Sequence, residues 1–486
     1  MRESRLQSPS FRAAKRASLT VNSNSGIVDP VKLANERPPA NGKSEDGFRL
    51  FLRWMEPGLG VKRWIGLMVL GTALIGLGLA YFLLDIYRTS GYSPWLDVVT
   101  LRALPRWLRA LLLGTSGISL LLLSVFRLNR ALLAPFLRPG RHVVEAVAEH
   151  RRLERGPKIV AIGGGTGLST LLRGLKVHTS NLTAIVTVAD DGGSSGRIRR
   201  TLGLPPPGDV RNCLAALSDD EDLLTQLFQY RFTQEGDLEG HTFGNLFIAA
   251  LAGVKGSFDR GILEAGRVLA IRGRVLPATL VNVALAADKS PVVDARAVRI
   301  EGESLIPEMP GRIRQVYLEP NDPPAFPETL HAILNADMIV IGPGSLYTSV
   351  IPNLLVPEIT AAIRASRAFK VYVCNVATQP GETDGYDCLE HQAALDLHVG
   401  RGLVEMMVIN NRLQNGLPQG SFPVREPGEG GAIAGPLYAT DLIDEKRAWR
   451  HDSAKLARAL MDLLEERTGP LEIAALDHRE QISGLN

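Results

Sequence analysis

The chain has 486 residues, with 54 Lys and Arg against 51 Asp and Glu, a net charge of +3. So small an excess argues against a nucleic-acid binder, and 45% hydrophobic residues with 22% charged exclude a mainly disordered chain. The three cysteines, Cys213, Cys374 and Cys388, are too few and too far apart for a disulfide framework or a four-cysteine zinc site, and they suit a reducing compartment. A mean hydropathy of +0.05 is high for a soluble protein and asks for a membrane segment.

Residues 1–60 are mostly polar and without periodicity, and are expected to form a disordered tail. Its Arg2, Arg5, Arg12, Lys15 and Arg16 are either solvated or in contact with anionic headgroups. Trp64–Leu84 is a run of 21 uncharged residues. At about 1.5 Å per residue, such a helix spans a hydrocarbon core of roughly 30 Å. Ala110–Phe126, with 17 uncharged residues, sits near the lower limit. The expectation is a membrane hairpin over 61–130. A cleavable signal peptide fits poorly, because about sixty polar residues precede the first apolar run. Basic residues flank both spans and the connection almost equally. The favoured topology places both ends in the cytoplasm, because the body reads as a nucleotide-handling domain with free thiols. A basic linker helix is expected within 131–157, carried by Arg138–Arg155.

From Lys158 the pattern alternates strand and helix. Lys158–Ile162, Leu182–Ala189, Met338–Ile341, Phe369–Val376 and Met406–Ile409 are short apolar runs rich in β-branched residues, and Leu168–Leu175 has helical spacing. Continuous apolar strands separated by helices imply a mostly parallel sheet covered on both faces. The fold class is therefore α/β, a Rossmann-like doubly wound sheet over 158–411, preceded by two transmembrane helices. Residues 412–486 form a C-terminal extension, with a loop at Glu426–Gly435 and a helical stretch near Glu445–Glu466.

Two strands run directly into glycine turns. Gly163, Gly164, Gly165, Thr166 and Gly167 follow the first; Gly342, Pro343, Gly344, Ser345, Leu346 and Tyr347 follow another. A glycine turn opening a helix lets backbone N–H groups approach a phosphate at the positive end of the helix dipole. The first turn is neither a strict G-x-G-x-x-G nor a P-loop. Tight βα turns also use glycine for steric reasons alone. Two such turns in one sheet nevertheless favour a nucleotide diphosphate held between them.

Asp190 and Asp191 end the second strand and lead into Gly192, Gly193, Ser194 and Ser195. Three readings stay open: contact with a ribose or acceptor hydroxyl, Mg²⁺ binding, or an Asx turn before the next helix. Asp209 is either the N-cap of a helix through Leu217 or part of a cleft, with Arg211 as a phosphate fork and Asn212 beside it. His241 to Asn245 opens an apolar helix, where a lone histidine is more often structural. Asp219–Asp222 reads as a solvated helix start. Asn375, Thr378 and Gln379 follow a strand in a loop more polar than packing needs.

The ordered set GGGTG, ADDGGSSG, GDVRN, HTFGN, GPGSLYTSVIPNLLV and NVATQPGETDGY, spread over about Lys158 to Asn411, resembles the gluconeogenesis-factor (YvcK-like) family within the 2-phospho-L-lactate transferase (CofD-like) superfamily. The resemblance implies a Rossmann-like body that binds a nucleotide diphosphate derivative. Members of the gluconeogenesis-factor type resemble UDP-sugar binders linked to cell-wall synthesis and cell shape. The transferase branch uses a guanosine diphosphate donor, a deazaflavin acceptor and Mg²⁺.

Carried over by residue, Gly163–Gly167, Gly342, Gly344 and Ser345 would hold phosphates, with Leu346 and Tyr347 in the same binding turn. Asp190, Asp191 and Ser194 would face sugar, acceptor or metal, and the two aspartates would be catalytic only in an enzyme. Asp209, Arg211, Asn212 and Asn245 would line the cleft, and Asn375, Thr378 and Gln379 would contact nucleotide or sugar. The membrane hairpin departs from the family pattern and suggests a tethered form at the cell membrane.

The leading expectation is thus a membrane-tethered UDP-sugar (UDP-N-acetylglucosamine type) regulator with its large domain in the cytoplasm. The alternative is a Mg²⁺-dependent transferase of phosphorus-containing groups. An NAD oxidoreductase is disfavoured by the imperfect fingerprint. No firm cofactor is expected. Candidate partners are the lipid membrane, cell-wall synthesis proteins and further copies of the chain, with no nucleic acid.

Overall fold

The computed structural model describes residues 61–89, 104–133, 143–218, 221–290, 296–412, 416–427 and 435–468. The expected tail and the glycine-rich loop at 428–434 lie outside these. The chain divides after Leu120 into two compact units.

The first unit contains the helix Val61–Thr89 and the opening of the helix Arg106–Leu133, where the two spans were expected. Their described apolar side chains lie open, Ile75 by 74% and Leu120 by 64%. Among the described residues no single helix is long and apolar enough to cross a membrane; shorter apolar helical stretches are Val69–Ala80, Gly114–Arg127 and Phe243–Lys255. A bent pair, Leu346–Leu354 with Pro357–Ala365, meets that test by length and composition. Its Ile351, Leu354, Ile359 and Ile363 are, however, core residues of the second unit. Residues Val143–Glu154, within the stretch read as a linker, form a helix.

The second unit is built on seven strands: β1 (Ile159–Gly163), β2 (Leu182–Val186), β3 (Arg274–Pro277), β7 (Met338–Ile341), β8 (Phe369–Val373), β9 (Met406–Asn410) and β10 (Leu437–Thr440). Their order is β10-β9-β8-β7-β1-β2-β3, and every neighbouring pair is parallel. All residues of β1, β2, β7 and β8 are buried, which is why they read as unbroken apolar runs. Period-two alternation then serves two cores. Ile159 and Ala161 join one, Val160 and Ile162 the other.

From β1 the chain winds outward through β2 to β3, and from β7 it winds the opposite way through β8 and β9 to β10. The direction reverses between β1 and β7, so a crevice opens past the carboxyl ends of those two strands. Both glycine turns fall there.

Between β3 and β7 the chain makes an antiparallel sheet that the sequence reading missed: β4 (Ala284–Ser290), β5 (Val298–Glu301) and β6 (Arg312–Glu319). Ile313, Val316 and Leu318 of β6 are buried while Arg312, Arg314 and Gln315 face out. A register shift between Asp288 and Lys289 interrupts the alternation in β4 and blurs its signature.

Two local expectations are corrected. The helix Gly208–Leu217 has Pro207 at its N-cap, so Asp209 lies in its first turn, where its carboxyl accepts from the Gly165 N–H. The stretch read as helical near Glu445–Glu466 begins as a hairpin, β11 (Ile443–Asp444) with β12 (Arg447–His451), and only Ser453–Thr468 is helix. Asp444 accepts from the backbone of Lys446 and Arg447, a tight turn that competes with helix in this charged segment. All three cysteines are free and buried.

Candidate functional site

The helix Gly165–Leu175 starts immediately after β1. Leu168, Leu171, Leu172 and Leu175 are buried on one face, so core packing fixes the helix axis and aims its N-terminus at the crevice. The N-cap residue Gly164 has no side chain to cap that end, and the Gly165 N–H is taken by the Asp209 carboxyl. Gly167 makes the two turns meet: a Cβ there would stand 2.5 Å from the Pro343 carbonyl oxygen and 2.9 Å from the Gly344 nitrogen. Any side chain would push the two cradles apart.

The resulting cavity holds about 420 Å³. Of the residues singled out by sequence, Gly164, Gly165, Thr166, Gly167, Gly344, Ser345, Asn375, Thr378 and Gln379 line it. A hydrogen-bond web holds the polar ones in place. Asn375 accepts from the Gly344 N–H at 3.3 Å and donates to the Gly344 carbonyl at 2.8 Å. Gln379 donates to the Ser345 hydroxyl at 2.7 Å, and Thr378 accepts from the Phe422 N–H at 2.9 Å.

The rest take other positions. Gly163 ends β1, with its carbonyl held by Asn353 at 3.0 Å, and Gly342 follows β7. Leu346 and Tyr347 are buried in the core, the Tyr347 hydroxyl meeting that of Tyr386 at 2.9 Å. Asp190, Asp191, Ser194, Arg211, Asn212 and Asn245 gather in a second polar cluster beyond β2. Asp190 accepts from the Gly192 N–H at 2.9 Å, the Asx turn weighed from sequence. Asp191 accepts from the Ser304 N–H at 3.0 Å. Arg211 donates to Thr242 and Asn212, Asn245 to Ser195. Ser194 lies 3.2 Å from Nδ1 of His241.

Asp209 joins the two regions. It accepts from the Gly165 N–H and feels the charge of Asp190. Burial, reinforced by Asp190, pushes its carboxyl up to about 7. Burial likewise pushes Glu382 up to about 7, against a stabilising hydrogen bond from Thr348. Glu303 rises to about 8, from burial and then the charges of Asp190, Asp209, Glu382 and Asp191. These carboxyls cannot all ionise cheaply together. Among the described residues no three acidic, histidine or cysteine side chains stand in an arrangement that would hold a metal ion.

Residues overlooked from sequence complete the cavity: Thr170, Pro307, Ser349, Glu382, Pro418, Ser421, Trp449, Arg450 and His451. Glu382 lay within the polar loop already singled out. Nothing local marks the hairpin residues, which long-range packing brings in. His451 is buried, held neutral with its pKa lowered to about 4, and donates from Nε2 to the Cys374 carbonyl at 3.1 Å.

Fold and cavity together define a doubly wound α/β protein with a polar crevice at its topological switch point. The family model described as 2-phospho-L-lactate transferase CofD matches residues 159–425. The gluconeogenesis factor of Bacillus subtilis is 47% identical over 64% of this chain and 99% of its own length. That of Listeria monocytogenes is 43% identical over 66% and 99%. A relative from a Nostoc species is 46% identical over 85% of this chain and 92% of its own. A crystal structure of a UPF0052-family protein from Bacillus halodurans superposes with a TM-score of 0.58 at 45% identity, covering 63% of this chain and 99% of that one. The chain belongs to the CofD family, among relatives that carry the gluconeogenesis-factor name.

Proposed function

We propose that this chain is a membrane-tethered regulator that binds a UDP-sugar of the UDP-N-acetylglucosamine type and acts on cell-wall synthesis and cell shape. The observation that carries the binding is the cavity between the two glycine turns, where the start of the helix Gly165–Leu175 and the hydroxyl and amide side chains of Ser345, Asn375, Thr378 and Gln379 line one space. Backbone N–H groups suit a diphosphate, and Asn375, Thr378 and Gln379 suit the edges of a base or sugar. Tethering through the amino-terminal helices, with the large domain in the cytoplasm, is supported by their open apolar side chains.

The test is calorimetric titration of the full chain in detergent with UDP-N-acetylglucosamine, GDP and NADH, each with and without Mg²⁺. The UDP-sugar is expected to bind most tightly, and preference for GDP or NADH would overturn the reading. Tethering is checked by membrane fractionation, where release by carbonate would contradict it.

A second reading, transfer of a phospho-group from a guanosine diphosphate donor to a deazaflavin hydroxyl, is favoured by the facing carboxyls of Asp190, Asp209 and Glu303. It requires Mg²⁺-dependent turnover that Asp191→Asn abolishes.

A further inference from the structure

We propose that the outer edge of β5 is an interface between two copies of this chain, in which Val298–Glu301 pairs antiparallel with the same strand of a partner about a two-fold axis through Ile300. The inference is independent of the ligand reading above.

The antiparallel sheet treats its two edges differently. On the β6 side the backbone is closed, because the Val316 N–H donates to Nε2 of His398 at 3.0 Å. On the β5 side no described strand follows in the order β5-β4-β6. Such an edge carries a row of unpaired N–H and C=O groups and is a template for another strand. Which groups face out follows from the register. The Gly302 N–H donates to the Leu285 carbonyl at 2.8 Å, and Ile300 stands opposite Ala287. With a period of two, Val298 and Ile300 turn their backbone groups toward β4, and Arg299 and Glu301 turn theirs outward.

Those same two residues carry opposite charges. Their side chains are 49% and 74% exposed, while Ile300 between them is buried. A two-fold pairing centred on Arg299 sets this arginine against its own copy, and one centred on Glu301 sets two glutamates together. Like charges directly opposite are destabilising. Centred on Ile300, the pairing sets Arg299 opposite Glu301 of the partner subunit, exchanges both of their backbone hydrogen bonds, and repeats the arrangement by symmetry. The edge thus fits its own copy in one register and rejects the slipped ones. Arg299 is already positioned for the pair: its guanidinium lies 5.5 Å from the centre of the Tyr317 ring and pairs with Glu319. Glu301 is held more loosely, 4.0 Å from Arg299. The strand then runs straight into Gly302–Ser304, where the Ser304 N–H donates to Asp191 at 3.0 Å, so the pairing borders the polar cluster beyond β2.

The test is sedimentation velocity of the full chain in detergent over a concentration series. Wild type is expected to form a dimer. Arg299→Glu and Glu301→Arg should each weaken it by about 10-fold or more, since each sets like charges opposite one another on both sides of the axis. Arg299→Glu combined with Glu301→Arg in one chain restores the dimer, because the unlike pair returns with its signs exchanged. Equal melting of the variants excludes misfolding, and Glu301→Arg leaves the Arg299–Glu319 pair in place. A second measurement needs no variant: hydrogen exchange of the Arg299 and Glu301 amides slows as concentration rises, while that of Ile300 does not change. A monomeric wild type, a dimer that survives both single substitutions, or a folded double variant that stays apart overturns the inference.

Discussion

Gly174 lies against the backbone of Ser453: a Cβ added to it would stand 1.9 Å from the Ser453 carbonyl oxygen and 2.7 Å from the Ala457 methyl group. At this contact the carboxyl-terminal helix sits directly on the helix that opens the cleft, nearly three hundred residues away in sequence. Gly174→Ala is therefore expected to destabilise the protein by about 1–3 kcal/mol through overpacking and to weaken ligand binding by displacing the hairpin. Urea denaturation and titration of the same variant check both. Wild-type stability would show that the two helices separate without cost.

The carboxyls give a pH signature with a definite sign. Asp209 and Glu382, raised to about 7, and Glu303, raised to about 8, keep protons that the unfolded chain has already released. Their contribution is complete below the unfolded carboxyl range and is lost as pH rises through the folded values. Stability should therefore fall as pH rises from about 4.5, where the unfolded carboxyls ionise, to about 8, where the folded ones have done so, and Asp209→Asn with Glu382→Gln should remove part of that slope. Denaturation at the two ends of the window measures it. A rise over that window would contradict the burial of these acids.

His451 has the opposite sign at lower pH. Its folded pKa near 4 lies below the usual histidine value, so its contribution is present above about 6.5 and lost as acid protonates the unfolded chain. His451→Gln, which retains a donor, should lessen the acid sensitivity between about pH 4 and 6.5. Equal acid slopes for variant and wild type would remove His451 as their source.

Lys289 is a buried cation that ties loops together rather than serving chemistry. Its ammonium donates to the carbonyls of Ile306, Met309 and Gly381 at 2.7, 2.5 and 2.8 Å. Those segments carry Pro307 and the Gln379–Glu382 side of the cavity. Lys289→Met strands three carbonyls, so a loss of about 2 kcal/mol or more is expected. Ligand affinity should drop as well, because the rim loosens. A variant as stable as the parent would rule out the tie.

Much of this was legible in the chain. The five strands read from sequence are wholly or almost wholly buried, and burial on both faces leaves an unmistakable apolar run. The glycine turns were legible too, because their residues act where they stand. What escaped was set by distance or by mixed surroundings. Trp449 and Arg450 sit in a charged segment, DEKRAWRH, that long-range packing brings to the cleft, with His451 anchored on the Cys374 carbonyl. The β4–β6 sheet has strands that are half exposed and shifted in register, so neither period dominates. Asp209 looked like a cap because its identity suits one; Pro207 takes that position, and the Asp209 carboxyl is left to meet the Gly165 N–H at the start of the neighbouring helix.

The account stands or falls on a UDP-sugar lying between the two glycine turns. The most direct measurement is amide hydrogen exchange of the full chain with and without saturating UDP-N-acetylglucosamine. Slowed exchange is predicted in three segments, Gly164–Gly167, Gly344–Ser349 and Asn375–Glu382, with the β4–β6 sheet unchanged. Protection confined to other segments, or none at a concentration where GDP does protect these three, would contradict it.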